Sequence, residues 1–479
     1  MKTLKYAVLL IVVLSAHSCA ALADSTDKVE KSQHNFVMIV IDDLRPVIGA
    51  YGDEKAYTPN IDELASKGIM FNRAYANVPV CGASRASLLT SLRPTRTRFL
   101  NFNAKAEEDV PGAKSLPQVL RESGYYTMAI GKIFHHSSDL ADESWSVRPV
   151  SGGLPHATTL NPESEKYKKP NEKRPNNAKG PWYESANVAD EDYGDGKTKV
   201  KALAALDKLA KQDQPFFLSV GFIRPHLPFN APKRYYDLHP KNNFEPFYHR
   251  EKPRFSPNGL KGSGEIQTYH FKNYEYNSDD FHVASQRGYY ASVSYVDALV
   301  GDLIKRISTL GLEENTTVIL LSDHGFNLGE HNFWGKHNML NTALRVPLII
   351  AGPSIAKNQE TDALVELIDI FPTITDIANV SNERDIAGDS FIHVLKNPKL
   401  EHKNQIYSRF KAGDSVVSKE HIYTLYSTEN EASEEMLFDL NEDPDETNNI
   451  ASDPNYLDVK SNLYKLLTTC MRELECQTK

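Results

Sequence analysis

Two apolar runs, each closed by acids, constrain this chain more than anything else in it. Asn35-Phe36-Val37-Met38-Ile39-Val40-Ile41 shows no polar alternation and ends in Asp42-Asp43; Thr317-Val318-Ile319-Leu320-Leu321-Ser322 repeats the pattern and ends in Asp323-His324-Gly325. A strand that is apolar on both faces is buried on both, the condition of a central strand in a parallel sheet covered by helices. Open α/β sheets hold their ligands at the carboxyl ends of strands. Adjacent carboxylates are costly to bury there unless something compensates them, and a metal ion is the usual compensation. One Asp-Asp after a strand reads as a solvated turn; two acidic strand ends in one chain point to a shared site.

The remaining pattern agrees with an α/β class. Further strands fit Tyr125 to Ile130, Phe216 to Gly221 and Val346 to Ala351. A helix starts at Thr58-Pro59, where proline is tolerated in the first turn. Tyr289 to Leu310 carries Val293, Val296, Leu299, Val300, Leu303 and Ile307 at helical spacing, as a helix packed on a sheet does. Strands alternating with helices make a doubly wound domain, expected over residues 24–352. After Gly352-Pro353 the texture changes. Asp362 to Ala378 reads as helix, and Gln405 to Phe410, His421 to Tyr426 and Glu435 to Leu440 as a small antiparallel sheet, so residues 353–479 are expected to form a smaller α+β subdomain.

Two irregular stretches interrupt this order. Ser138 to Lys201 is rich in Pro, Asn, Lys and Glu; Arg234 to Asp280 mixes Tyr, Phe, His and Lys. Long irregular segments in a compact domain are functional or structural surface loops. The second has the composition of a sugar-binding wall, with rings for sugar faces and cations for sulfate or carboxylate.

Met1 to Ala23 reads as a secretory signal peptide: Lys2 and Lys5, the apolar run Ala7 to Leu14, then Ala21-Leu22-Ala23 as a small-x-small cleavage site. A competing reading makes Cys19 the lipidated first residue of a lipoprotein, for which Ala16-His17-Ser18 is a poor lipobox. No later stretch reaches the roughly 20 apolar residues of a spanning helix. No transmembrane segment is therefore expected, and the mature chain is expected to be exported, periplasmic or secreted. A net charge of -9 and a pI near 6.0 argue against a nucleic-acid surface. An anionic substrate must then be drawn by a local positive pocket. Of the 4 cysteines, Cys470 and Cys476 stand near enough in sequence to pair in an oxidising compartment, or to remain free.

Val80-Cys81-Gly82-Ala83-Ser84-Arg85-Ala86-Ser87-Leu88-Leu89-Thr90 carries the chemistry. A cysteine on a tight turn that opens a helix meets free N–H groups, and an arginine one turn on adds a fork for a tetrahedral oxyanion. The plain alternative is a small buried cysteine before an ordinary helix. Cys81-x-Ala83-x-Arg85 resembles the signature of the sulfatase family, Cys-x-Pro/Ala-x-Arg, in which a maturation enzyme oxidises the cysteine to Cα-formylglycine. Ala83 stands where proline is most frequent, and Ser91 where glycine usually follows Leu-Leu-Thr. The resemblance continues in family order through Gly131-Lys132 with His135, Arg224-Pro225-His226-Leu227-Pro228-Phe229, Asp323-His324-Gly325 with Gly329-Glu330-His331, and Lys336. It covers the chain from about Phe36 to the C-terminus.

That resemblance implies an alkaline-phosphatase-like sulfatase fold, with a large mixed, mostly parallel sheet flanked by helices. It also implies roles for single residues. Cys81, converted and hydrated, is the nucleophile; Arg85, Lys132 and Lys336 clamp sulfate oxygens; His226 or Lys336 protonates the leaving oxygen; His135 takes the last proton. Asp42, Asp43, Asp323 and His324, with the oxygen at position 81, hold a divalent cation. A mainly hard-oxygen set implies Ca2+, with Mg2+ or Zn2+ as alternatives because His324 is softer.

The wording of the motifs is nearest the branch of the family that acts on 2-O-sulfated uronic acids, which implies a sulfated carbohydrate as substrate. Lys241, His249 and Arg250 are then candidates for a neighbouring carboxylate. Readings from other classes are a phosphomonoesterase or phosphodiesterase of the same superfamily, which uses Ser or Thr and two zinc ions, and a non-catalytic sulfoglycan-binding protein. A small aryl or lipid sulfate as substrate would ask for an apolar pocket instead.

Overall fold

The computed structural model describes residues 34–154, 157–168, 179–381, 385–428 and 431–477. The expected signal peptide and Cys19 lie outside them. The main sheet has seven strands: β1 (Asn35–Ile41), β2 (Gly68–Phe71), β3 (Tyr126–Gly131), β4 (Phe216–Phe222), β5 (Thr316–Ser322), β6 (Leu348–Ala351) and β7 (Gln359–Thr361). They lie in the order β7-β2-β6-β5-β1-β4-β3. β1 runs parallel to β4 and β5, with Ile41 level with Phe222 and Ser322. The two acidic strand ends therefore emerge side by side. Only β6 runs against its neighbours, so the sheet is mixed and mostly parallel.

The absence of alternation in β1 has the expected cause. Phe36, Met38 and Val40 enter one apolar cluster with Leu88 and Leu89, while Val37, Ile39 and Ile41 enter another with Leu206, Val293 and Leu299. Period two sends successive side chains to opposite faces, and here both faces are covered. On one side lies α2 (Cys81–Thr90); on the other lie α1 (Pro59–Ser66), α3 (Gly194–Leu209) and α4 (Asp279–Thr309). Fully burying one such side chain is worth about 1.5–3 kcal/mol, so β1 alone secures much of the join between the layers. The α4 helix starts ten residues before the span read from periodicity, capped by Ser278 Oγ accepting from Phe281 N at 3.2 Å.

A second sheet of four antiparallel strands follows: β8 (Gln405–Phe410), β9 (Gly413–Ser418), β10 (His421–Thr428) and β11 (Glu431–Asp439), then helix α5 (Leu457–Gln477). The first of these strands grips the backbone that leads into α2. Ser408 Oγ donates to Ala76 O at 2.7 Å, Arg409 N to Asn77 O at 2.8 Å, and Asn77 Nδ2 to Tyr407 O at 2.9 Å.

Several expectations are corrected. Residues 362–378 are α-helical only over Ile370–Ile377, preceded by a 3-10 turn at Leu367–Asp369. Val365–Glu366 instead pairs with Ala74–Tyr75, and Asp369 Oδ2 accepts from Glu366 N at 2.9 Å, the capping bond with which the helical turns begin only after Glu366. Leu348 opens β6 because Pro347 lacks a donor, and Arg345–Val346 pairs elsewhere, with Tyr75 and Ala74. The irregular reading of 138–201 overran the start of α3 at Gly194. Cys470 is a free thiol. This is one of the two states left open above, and the side chain of Cys476 lies outside the described residues. Among the described residues no helix is long and apolar enough to cross a membrane.

Candidate active site

The carboxyl ends of β3, β1 and β5, and the loop after β4, each deliver a side chain to one cavity of about 820 Å3 or to its floor. Asp42 and Asp43 follow β1 and are fully buried; Asp43 has φ 61°, the turn that separates the two carboxylates. Lys132 follows β3 after Gly131, whose φ is 79° and where an added Cβ would lie 2.1 Å from Gly221 O. Only glycine lets β3 turn this close to β4. His226 lies between two cis peptide bonds, Arg224–Pro225 and Leu227–Pro228. Asp323 and His324 follow β5, and Cys81 is the first residue of α2, after Val80 in extended conformation.

The charges are paired throughout. Lys132 Nζ lies 2.5 Å from Asp42 Oδ2, and Lys336 Nζ lies 2.9 Å from both oxygens of Asp43. Arg85 is fully buried and engaged through all three nitrogens: Nε with Asp323 Oδ2 at 2.7 Å, Nη2 with Asp42 Oδ1 at 3.3 Å, and Nη1 with the carbonyls of Lys132 and Ile133. Removing one partner of such a buried pair costs roughly 3–5 kcal/mol. Cys81 Sγ lies 3.2 Å from His324 Nε2 and 4.0 Å from Asp43 Oδ1.

This packing sets the protonation states. Burial opposes ionisation of Asp42, but Lys132 and Arg85 outweigh it and hold the carboxyl well below its usual range. Burial, reinforced by Asp42, pushes the Cys81 thiol well above its ordinary value. Burial and Lys336 push His226 down, yet Asp43 and Glu265 more than offset them and its value rises. Burial, then Lys132, lowers His135 to about 3. Two histidines shifted in opposite directions thus line one cavity.

Sequence reasoning missed Glu265. Its two oxygens bridge two cations, Oε1 at 3.2 Å from His226 Nε2 and Oε2 at 2.9 Å from Lys336 Nζ. No spacing marks it among the other acids of residues 234–280. Other expectations for that segment do not hold. Lys241 is paired with Asp280 and Arg250 with Asp279, and neither they nor His249 line the cavity. The half-buried rings of Phe271, Tyr274 and Tyr276 pack against Trp182 and Phe281, and none of them lines the cavity.

A family model described as "Sulfatase" matches residues 34–380. The chain belongs to the sulfatase family. A second model, "N-sulphoglucosamine sulphohydrolase, C-terminal", matches residues 329–473 of the sulfatase. It is 33% identical over 391 residues to iduronate 2-sulfatase of Mus musculus, which is 72% of this chain and 69% of that one. Among solved structures it resembles a protein in complex with its substrate D-glucosamine-2-N,6-O-disulfate (TM-score 0.71, 20% identity, 92% of this chain and 98% of that one). It also resembles the phosphonate monoester hydrolase of Agrobacterium radiobacter (TM-score 0.72, 20% identity, 93% and 96%). The fold is alkaline-phosphatase-like, and the sulfatase is a sulfuric ester hydrolase.

The family implies a divalent cation, and the residues of the sulfatase fit one. Asp42, Asp43, Cys81 and His324 each offer a ligand atom, all within 4.8 Å of one another. Asp323 stands beside them, with Oδ1 3.8 Å from His324 Nε2 and accepting from Asp43 N at 3.2 Å. Three fully buried carboxylates so close together are a hard, anionic donor set.

Proposed function

We propose that this sulfatase cleaves the sulfate ester of a 2-O-sulfated uronic acid in an acidic oligo- or polysaccharide, using formylglycine made from Cys81 and a divalent cation, Ca2+ or alternatively Mg2+. One observation carries the reading: Cys81 opens α2 at the floor of the cavity as a buried, protonated thiol among carboxylates. Such a thiol is a poor nucleophile, whereas an oxygen in its place completes a hard donor set. Converted and hydrated, position 81 supplies the attacking oxygen, and the cation supplies positive charge for it.

The remaining work falls to side chains already in place. Lys132 and Lys336 border the cavity and hold sulfate oxygens as negative charge shifts towards the leaving group. Arg85 does not border it; it holds Asp42 and Asp323 and the backbone of Lys132, so its part is to fix the ligands and not to clamp sulfate. His226 protonates the leaving sugar oxygen while the sulfur–oxygen bond breaks, and His135 accepts a proton at position 81 in the release step. The relative named iduronate 2-sulfatase supports the choice of sugar. A phosphate-ester reading asks for two cations; the described residues offer one donor group of this kind. Export through the leader at residues 1–23 and conversion by a maturation enzyme belong to the same reading.

The test is sulfate release from a 2-O-sulfated uronate disaccharide, with peptide mass across Cys81. Release should rise in proportion to the fraction converted, and Cys81→Ala should fold and be inactive. Undiminished turnover by that variant would refute the mechanism.

A further inference from the structure

A second cavity, of about 460 Å3, lies away from the catalytic residues. Its walls carry three tyrosines, Tyr167, Tyr183 and Tyr236, with Lys272 and Arg287 between them. The rim acids are already engaged: Lys233 lies 2.6 Å from Asp237, and Lys166 lies 2.5 Å from Glu163. Lys272 is not so paired. Its ammonium sits 3.6 Å from the centre of the Tyr183 ring, and among the described residues no carboxylate lies within ion-pair distance. Burial lowers it to about 8, a penalty that only Glu184 partly relieves. Arg287 uses Nε and Nη2 on the carbonyls of His239 and Tyr236. A half-buried cation over an aromatic face, without a counter-ion, is a receptor for an anionic group on a ring-shaped ligand.

Among the described residues none lines both cavities, but neighbouring stretches of chain do. Thr158 and Thr268 line the catalytic cavity; Asn161 and Lys272 line the second. Three or four residues of chain span at most about 11–14 Å. Glu184 links the two linings, accepting from Leu160 N at 2.8 Å, Asn161 N at 3.1 Å and Tyr193 OH at 2.6 Å; Asn161 lines the second cavity and Tyr193 the catalytic one.

We propose that the second cavity binds an anionic sugar unit, carboxylated or sulfated, further along the same glycan whose sulfate ester lies at Cys81. Tyr167 offers its ring to the sugar, and Lys272, seated on the face of Tyr183, meets its anionic group together with Arg287. This rests on the carbohydrate reading given above.

The experiment compares kcat/KM for a 2-O-sulfated uronate disaccharide and hexasaccharide, in the converted enzyme and in Lys272→Ala and Lys272→Gln. The parent should favour the hexasaccharide by about tenfold or more, through KM, the scale of one charge-assisted contact. Both variants should lose that preference and keep the disaccharide rate. A parent without length preference, or variants that retain it, overturns the proposal while leaving the carbohydrate reading intact. Failure of the parent on both sugars overturns the carbohydrate reading itself, and this proposal with it.

Discussion

Lys336 Nζ lies 2.9 Å from Glu265 Oε2, and the lysine is 2% exposed. The ammonium is thus held from two sides, by Glu265 and by Asp43. Glu265→Gln keeps the shape of the contact and removes its charge, so Lys336 and His226 lose their common anchor. The expected outcome is a fall in kcat of about 10–100-fold with a smaller change in KM and a folded protein. Steady-state kinetics beside a thermal melt decide it; an unaltered kcat would remove Glu265 from the working site.

The pH profile follows from the two histidines. His135, lowered to about 3, is a competent base above that value; His226, raised above its ordinary 6.5, remains an acid below its own higher value. Activity should therefore plateau across the mildly acidic range and decline on the alkaline side as His226 loses its proton. Glu265→Gln withdraws a charge that raises His226, so the alkaline decline should move to lower pH. A profile that rises only above neutrality contradicts this assignment.

Cation removal provides a third check. Lys132, Lys336 and Arg85 already neutralise Asp42, Asp43 and Asp323, so the chelated protein should remain folded while losing activity. Asp43→Asn, which removes one hard donor, should lower kcat/KM by roughly 10²–10³-fold or more. Calcium titration followed by melting temperature and sulfate release reads both effects, and full activity after exhaustive chelation is the adverse result.

Ser91 ends α2 with φ 55°, where an L-residue costs about 1–2 kcal/mol. Its Oγ donates to Ile368 O at 2.7 Å and accepts from Gly388 N at 3.2 Å, which offsets that cost. Ser91→Ala keeps the strained backbone and loses both bonds, and should destabilise by about 1–3 kcal/mol. Ser91→Gly loses the bonds but also the strain, and should stay within about 1 kcal/mol of the parent. Denaturant unfolding of the two variants separates them; equal losses would show that the backbone conformation costs nothing.

What was readable in the sequence was local or carried by chemistry. β1 and β5 announced themselves because burial on both faces leaves an unbroken apolar run, and Cys81 with Arg85 because one helical turn separates thiol and guanidinium. Lys132, His135, His226 and Lys336 could be singled out only by the order of motifs, and all four line one cavity. Glu265 was illegible because its partners are 39 and 71 residues away and its segment has no period. The rings of residues 269–276 misled for a related reason: composition cannot tell a ring that faces a ligand from one that faces Trp182. Residues 362–378 misled because apolar periodicity gave no warning of Glu366, buried beside Arg93 and Lys403.

The grip of β8 on Ala76 and Asn77 has a consequence in time. Ser408 and Ala76, whose contact completes the approach to Cys81, are 332 residues apart. A chain made at about 5–20 residues per second therefore leaves that approach unfinished for tens of seconds after Cys81 has been added. During synthesis the approach to position 81 is left unpinned, and only about the last sixth of the polypeptide, from Gln405 on, pins it. A modifying enzyme that needs an extended peptide has that interval in which to act, and a chain truncated before Gln405 never closes it.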